Sequence, residues 1–243
     1  MLILALDTSS IVASAALMEE EKLIGEYTIN QDKTHSQKLM PLIDALLQAC
    51  ERQLEDVDII AVAEGPGSFT GLRIGVATAK GLAHGANIPV IGVSTLDGLA
   101  FNLPYCEGLI CPILDARRNQ VYAGVYKWEA GALHRILQPM AVSIEELIEG
   151  LSARPERVVF LGDGVGRHKE LLEEKLKDRM LLAPNRANMQ SAASVAELAL
   201  QQAREGNMDN FYRLTPEYLR KPEAERQYEE KLKRGGSGEV ANR

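Results

Sequence analysis

Residues 59–86 read IIAVAEGPGSFTGLRIGVATAKGLAHGA: an apolar run of strand length, a glycine-rich turn, and a segment in which small residues recur every fourth place. Gly65, Pro66, Gly67, Ser68 and Phe69 form the turn, where missing side chains let the backbone approach a neighbour, and Thr70 is placed to cap the following helix. Gly71, Gly75, Ala79 and Ala83 share one helical face, which lets another element pack with nothing larger than a methyl group in between. Anion binding at the helix start is the competing reading. It fails as a Walker loop, because Gly71 follows Gly65 by six places and Leu72-Arg73 stand where Lys-Ser/Thr is required. A purely structural turn and a partner-docking surface both remain open.

Outward from this unit, residues 2–8, 12–18 and 22–29 read as three strands of a meander, with turn signals at Asp7 to Ser10 and Glu19 to Lys22. A helix is expected over 34–52, with Leu39, Leu42, Ile43, Leu46 and Leu47 at helical spacing and Pro41 kinking it or restarting its first turn. Strand 57–63, helix 70–86, strand 88–93 and a short helix 95–102 give this half the order βββαβα with additions. Strands near 109–115, 120–127 and 133–138, helix 143–151, strand 157–161, helix 165–176, strand 179–182 and helix 190–205 repeat that order more weakly. The expectation is a duplicated α/β architecture with lobes at 1–104 and 105–205, and a return to the first lobe over about 206–222. Residues 223–243, with GGSG at 235–238, read as a charged helical extension and a flexible tail.

With 243 residues, 46% of them hydrophobic, the chain can fill one large or two small cores. Its 34 acidic and 27 basic residues give a net charge of -7, with no overall attraction for a polyanion, so any role on RNA would be shared with a partner. The start, MLILALDTSS, fits a buried strand better than a signal sequence, and no stretch approaches a membrane span. Cys50, Cys106 and Cys111 are odd in number and form no CxxC pair, so the cytosol is the expected compartment. His35 begins a helix beside Thr34 and Ser36, while His84, His134 and His168 lack partners at ligand spacing, and no metal site is expected.

Six segments taken together resemble a known family: LALDTSS at 4–10, THSQKLMPLI at 34–43, GPGSFTGLRIG at 65–75, GVSTLDGLA at 92–100, LDARRNQVYAG at 114–124 and PEYLRKPEAE at 216–225. The family they resemble is TsaB, also called YeaZ, over about residues 1–225. The resemblance implies an α/β fold of the actin/Hsp70/sugar-kinase (ASKHA) type. It also implies a part in making threonylcarbamoyladenosine beside the anticodon of tRNAs that read codons beginning with A. In that family catalysis belongs to the paralogue TsaD, and TsaE, an ATPase, completes the assembly. A family member then has no catalytic residue and binds no cofactor alone; ATP and a metal ion enter through its partners, and tRNA through the complex. The implied partner surface lies on helices 34–52 and 70–86, at His35, Leu39, Leu42, Leu46, Thr70, Gly71, Arg73, Gly75 and Ala79, with a homodimer using the same surface when TsaD is missing.

The residues allow a check on that division of labour. In the catalytic paralogue the fourth segment resembles GVNHMEGHLLA, whose two histidines bind metal from one helical face. Thr95 and Leu99 stand in those places here, and leucine has no lone pair to donate. A kinase of this fold wraps phosphate with an Asp-x-Gly-Thr turn, whereas Asp7-Thr8-Ser9-Ser10 lacks the glycine. The second loop is Asp115-Ala116-Arg117-Arg118-Asn119, and Gly162-Asp163-Gly164-Val165-Gly166 resembles an adenosine-loop remnant. Asp7, Thr8, Ser9, Asp115, Arg117, Gly162 and Gly164 are therefore candidates for a remnant nucleotide cleft. Asp7 reads as a turn former, and Asp115 and Arg117 as a pair or cap for the hairpin. The alternative function is a small-molecule kinase or ATPase of the same fold, with Asp7 or Asp115 as base. A metalloprotease fails for want of paired histidines and of a nucleophile with its base.

Overall fold

The computed structural model describes residues 1–31 and 35–220; Thr34 and the segment 223–243 lie outside the described residues. Strand β1 (Leu2–Asp7) is buried on both faces, and its alternation sends Leu2, Leu4 and Leu6 to one core layer and Ile3 and Ala5 to the other. It pairs antiparallel with β2 (Val12–Glu19) and parallel with β4 (Ile59–Gly65). With β3 (Lys22–Asn30) and β5 (Val90–Ser94) at the edges, the first sheet runs β3-β2-β1-β4-β5.

The second sheet holds β6 (Leu109–Asp115), β7 (Gln120–Glu129), β8 (Ala132–Ser143), β9 (Val158–Leu161) and β10 (Met180–Leu182) in the order β10-β9-β6-β7-β8. Read from its other edge, it repeats the first sheet strand for strand. Helices α1 (His35–Ala49), α2 (Phe69–Ala86) and α3 (Thr95–Phe101) follow the third, fourth and fifth strands of the first sheet. Helices α4 (Ile144–Ser152), α5 (Val165–Leu176) and α6 (Ala192–Arg204) do so in the second. This tandem α/β arrangement is the actin/Hsp70/sugar-kinase fold. No described helix is long and apolar enough to cross a membrane.

Local chemistry sets the helix ends. The Ser68 hydroxyl accepts the Gly71 N–H at 3.3 Å and caps α2, two residues earlier in the chain than the expected Thr70 cap, which leaves Thr70 exposed inside the helix. The C-terminal end of α2 closes on Asn87, in the left-handed region at φ 55°. Helix α1 runs uninterrupted through Pro41, which sits on its exposed side.

Two helices pack across the lobe boundaries expected at 104/105 and 205. Leu96, Leu99 and Ala100 of α3 bury against Ile110, Leu114, Tyr126 and Leu161 of the second sheet. Ala192, Val195, Ala196, Ala199 and Leu200 of α6 bury against Ile3, Ala5, Ala61 and Val93 of the first. Each half thus lends its last helix to the other half's sheet. Apolar periodicity in a sequence reports that a helix has a buried face, not which sheet covers it. The exchange carries a polar clasp: the Asn102 amide donates to the Ala187 and Met189 carbonyls at 3.1 and 2.8 Å and accepts from the Ser194 hydroxyl at 2.7 Å. Beyond α6 the chain returns along α2. Asp209 exchanges both backbone bonds with Val90 at 3.0 Å, Leu214 is buried in the first core, and Lys80 Nζ donates to the Leu214 carbonyl at 3.0 Å.

Candidate functional site

The lobes enclose a cleft of about 600 Å³. Its walls come from the turn after β1 (Ser9, Ser10), the α2 start (Ser68, Thr70), the β6–β7 hairpin (Asp115, Arg117) and the returning segment (Tyr218, Arg220). The first of these turns is closed on itself. Asp7 accepts the Ser9 N–H at 2.8 Å and the Ser9 hydroxyl at 2.6 Å, and burial pushes its carboxyl up to about 6 against the pull of those two bonds. The N–H and hydroxyl that a phosphate would need are therefore committed to Asp7. Thr8 is fully buried, with its hydroxyl on the Gly71 carbonyl at 2.8 Å, and does not line the cleft.

The glycines of the loop serve that turn. A side chain on Gly67 would strike the Ser9 carbonyl, one on Gly71 the Thr8 carbonyl, and one on Gly75 the Thr8 hydroxyl. Ser68 N–H donates to the Ser9 carbonyl at 2.6 Å. Gly65, at φ 135° before the cis bond to Pro66, has the Glu217 carbonyl where its side chain would stand. The motif is a packing device joining β1, α2 and the returning segment. Gly71, Gly75 and Ala79, expected on a partner surface, face inward onto their own sheet and are buried. Leu39, Leu42 and Leu46 do the same, because α1 needs them to cover Leu4, Leu17 and Ile60. His35 is half-buried and bonds the Ser10 carbonyl through Nε2 at 2.7 Å, tying the start of α1 to the cleft turn. Of the expected partner-surface residues, Thr70 and Arg73 are exposed.

On the second lobe, Asp115 accepts the Arg117 N–H at 2.8 Å and pairs with Arg167 at 3.3 Å, so the hairpin is capped through the Arg117 backbone while the ion pair goes elsewhere. Arg117, Arg118 and Asn119 follow one another in the left-handed region at φ 62°, 52° and 61°. Gly162 and Gly164 pack on the Ile113 carbonyl and do not line the cleft, whereas Asp163 does, accepting the Asp115 N–H at 3.0 Å. Burial raises the Asp163 carboxyl. Thr95 and Leu99 are buried, Leu99 within the core beneath the second sheet. No group of metal-ligating side chains occurs among the described residues.

Sequence reasoning expected the return over 206–222 but missed what its side chains do at the cleft. Tyr218 stacks on Phe69 with ring centres 4.9 Å apart, its hydroxyl accepts from Arg73 Nε at 3.1 Å, and Arg220 donates to the Ala116 carbonyl across the cleft. Glu64 lies beneath this segment; burial, then the Glu217 and Asp209 charges, push its carboxyl up to about 7. The available signal was Gly65, a glycine whose close neighbour was unassigned.

Comparison with known proteins agrees with this picture. The model of the family described as "TsaD: tRNA N6-adenosine threonylcarbamoyltransferase" matches residues 22–228. The Bacillus subtilis tRNA threonylcarbamoyladenosine biosynthesis protein TsaB is 37% identical over 96% of this chain and 100% of its own length. The Escherichia coli protein of the same name is 31% identical, over 90% of this chain and 95% of its own. The solved structure of YeaZ from Pseudomonas aeruginosa superposes with a TM-score of 0.76 at 28% identity, covering 90% of this chain and 99% of that one. Shared sequence along nearly the whole length and a shared fold place this chain in the TsaB (YeaZ) family of tRNA threonylcarbamoyladenosine biosynthesis proteins.

Proposed function

We propose that this chain is the non-catalytic assembly partner in threonylcarbamoyl transfer to tRNA, and that it acts by pairing with the catalytic paralogue TsaD. The observation that carries the reading is the sealed first turn: Ser9 gives both its donors to Asp7, and Gly67 and Gly71 press α2's start against the turn's carbonyls. A phosphate turn spent on internal bonds supports a fold kept for its surface. The pairing surface is the outward side of α1 and α2, where Gln37, Met40, Asp44, Arg73, Ala77 and Gly81 are exposed. Gly81 and Gly85 have open space where a side chain would stand, so a partner helix can come close there. A homodimer uses the same side when TsaD is missing. TsaE joins the TsaD-bound form in the cytoplasm, ATP and a metal ion enter through those partners, and tRNA binds the complex.

Reconstitution on unmodified tRNA with each component omitted in turn tests this. Modification should need this chain together with TsaD, and the chain alone should neither modify tRNA nor hydrolyse ATP. Turnover of ATP by the purified chain, abolished by Asp7→Asn, would establish the kinase or ATPase reading instead.

A further inference from the structure

Arg73 leaves the exposed side of α2 one turn after Phe69. Its guanidinium carbon lies 4.0 Å from the centre of the Phe69 ring, and Nε donates to the Tyr218 hydroxyl at 3.1 Å. The Tyr218 ring itself leans on Phe69, with ring planes 33° apart. An aromatic face and a hydroxyl thus fix the guanidinium plane, while its Nη groups make no hydrogen bond or ion pair among the described residues. An exposed arginine ordinarily samples many rotamers; this one is ordered in advance.

Tyr218 is delivered from 145 residues away in sequence. The returning segment holds it there through the Glu217 N–H on the Glu64 carbonyl at 2.7 Å and through the close approach that Gly65 permits. Lys80 fixes the same segment lower on α2, at Leu214.

We propose that Arg73 is a preorganised anchor for a carboxylate of the protein that docks on α2, and that Tyr218 is the residue that positions it. This rests on the reading of the α1–α2 side as the TsaD surface. A planar guanidinium with free Nη donors matches a carboxylate in bidentate geometry. Ordering it beforehand lowers the entropy lost on docking. Of its neighbours, Thr70, Ala77 and Gly81 carry no charge, and the two nearby cations are spent on backbone carbonyls, Lys80 on Leu214 and Arg220 on Ala116, which leaves Arg73 without the cluster of free cations that an RNA backbone draws on.

The test is calorimetric titration of TsaD into the full chain and its variants, each checked by thermal melt. Arg73→Ala should weaken binding at least about tenfold and flatten its salt dependence, and Arg73→Lys should not restore it. Tyr218→Ala should weaken binding in the wild-type background but add nothing to Arg73→Ala, and Tyr218→Phe, which keeps the ring, should show a smaller loss in the same direction. Arg73→Ala binding within about twofold of wild type overturns the anchor. In that event Gly81→Leu separates the readings: lost binding leaves the docking surface standing, and unchanged binding removes both. Tyr218→Ala costing as much with or without Arg73 overturns the positioning role. A loss of tRNA binding by the complex with TsaD affinity intact reassigns Arg73 to RNA and overturns the proposal.

Discussion

Adding one methyl group at each of two glycines on α2 should move stability in opposite directions. At Gly71 the new carbon would fall on the Thr8 carbonyl, whose carbon is 3.3 Å away. That carbonyl belongs to a backbone turn pinned by Asp7 and Ser68, and it cannot swing aside as a side chain can. Overpacking of this kind costs about 1–3 kcal/mol. Disturbing the 2.8 Å bond from the Thr8 hydroxyl to the Gly71 carbonyl costs about 1 kcal/mol more. Alanine's higher helix propensity returns about 1 kcal/mol, so Gly71→Ala should lose about 1–3 kcal/mol net. At Gly81 nothing lies within 4 Å, and the propensity gain of about 1 kcal/mol stands alone. At this chain length that amounts to about 2–4 °C in melting temperature. Thermal melts with parallel urea titrations, at several protein concentrations, measure both. A Gly71→Ala variant as stable as wild type would refute the inward placement of the small-residue stripe. The Gly81→Ala gain belongs to the dissociated chain; a loss that grows with protein concentration would mark the homodimer proposed for this side.

Three further outcomes are expected. Glu64 keeps its proton in the folded chain up to about pH 7 but releases it near 4.5 when unfolded, so stability should fall as pH rises between those values and stay reduced above them. Glu64→Gln should remove that slope and raise stability at pH 8 by about 1–2 kcal/mol, allowing for the group's partial contact with water; urea melts at pH 5, 6 and 8 check it, with the slope left below pH 6 belonging to Asp7. Asn102→Ala breaks three bonds, two to the approach to α6 and one to Ser194 within it, and a loss of about 2–3 kcal/mol is expected in a denaturant melt. With a net charge of -7, the isolated chain should bind tRNA weakly in a gel shift at physiological salt and substantially better with TsaD present; tight binding by the chain alone would contradict the charge argument.

Much of the architecture is legible in the residues, because two βββαβα runs in tandem leave few ways to order the strands. The Asp7 turn is legible too: an aspartate two places before a residue with a free N–H and a hydroxyl closes on itself. The stripe of Gly71, Gly75 and Ala79 is legible as a close contact but not in its direction, since a sheet turn and a foreign helix ask for the same small residues. What the sequence hides is whatever depends on long-range placement. Nothing periodic links Tyr218 to Arg73, or His35 to Ser10, and α3 and α6 show apolar faces without showing whose sheet they cover.

The exchange of α3 and α6 bears on how such a chain arose and how it folds. A single half would leave one face of its sheet uncovered and carry a helix with no apolar surface to rest on. Two copies of that half would each supply what the other lacks, so the ancestral unit reads as a helix-swapped dimer later fused into one polypeptide. The fused chain inherits the dimer's interdependence. Its halves should melt in a single transition, and a cut at residue 104 should yield fragments that are insoluble apart and complement one another when mixed.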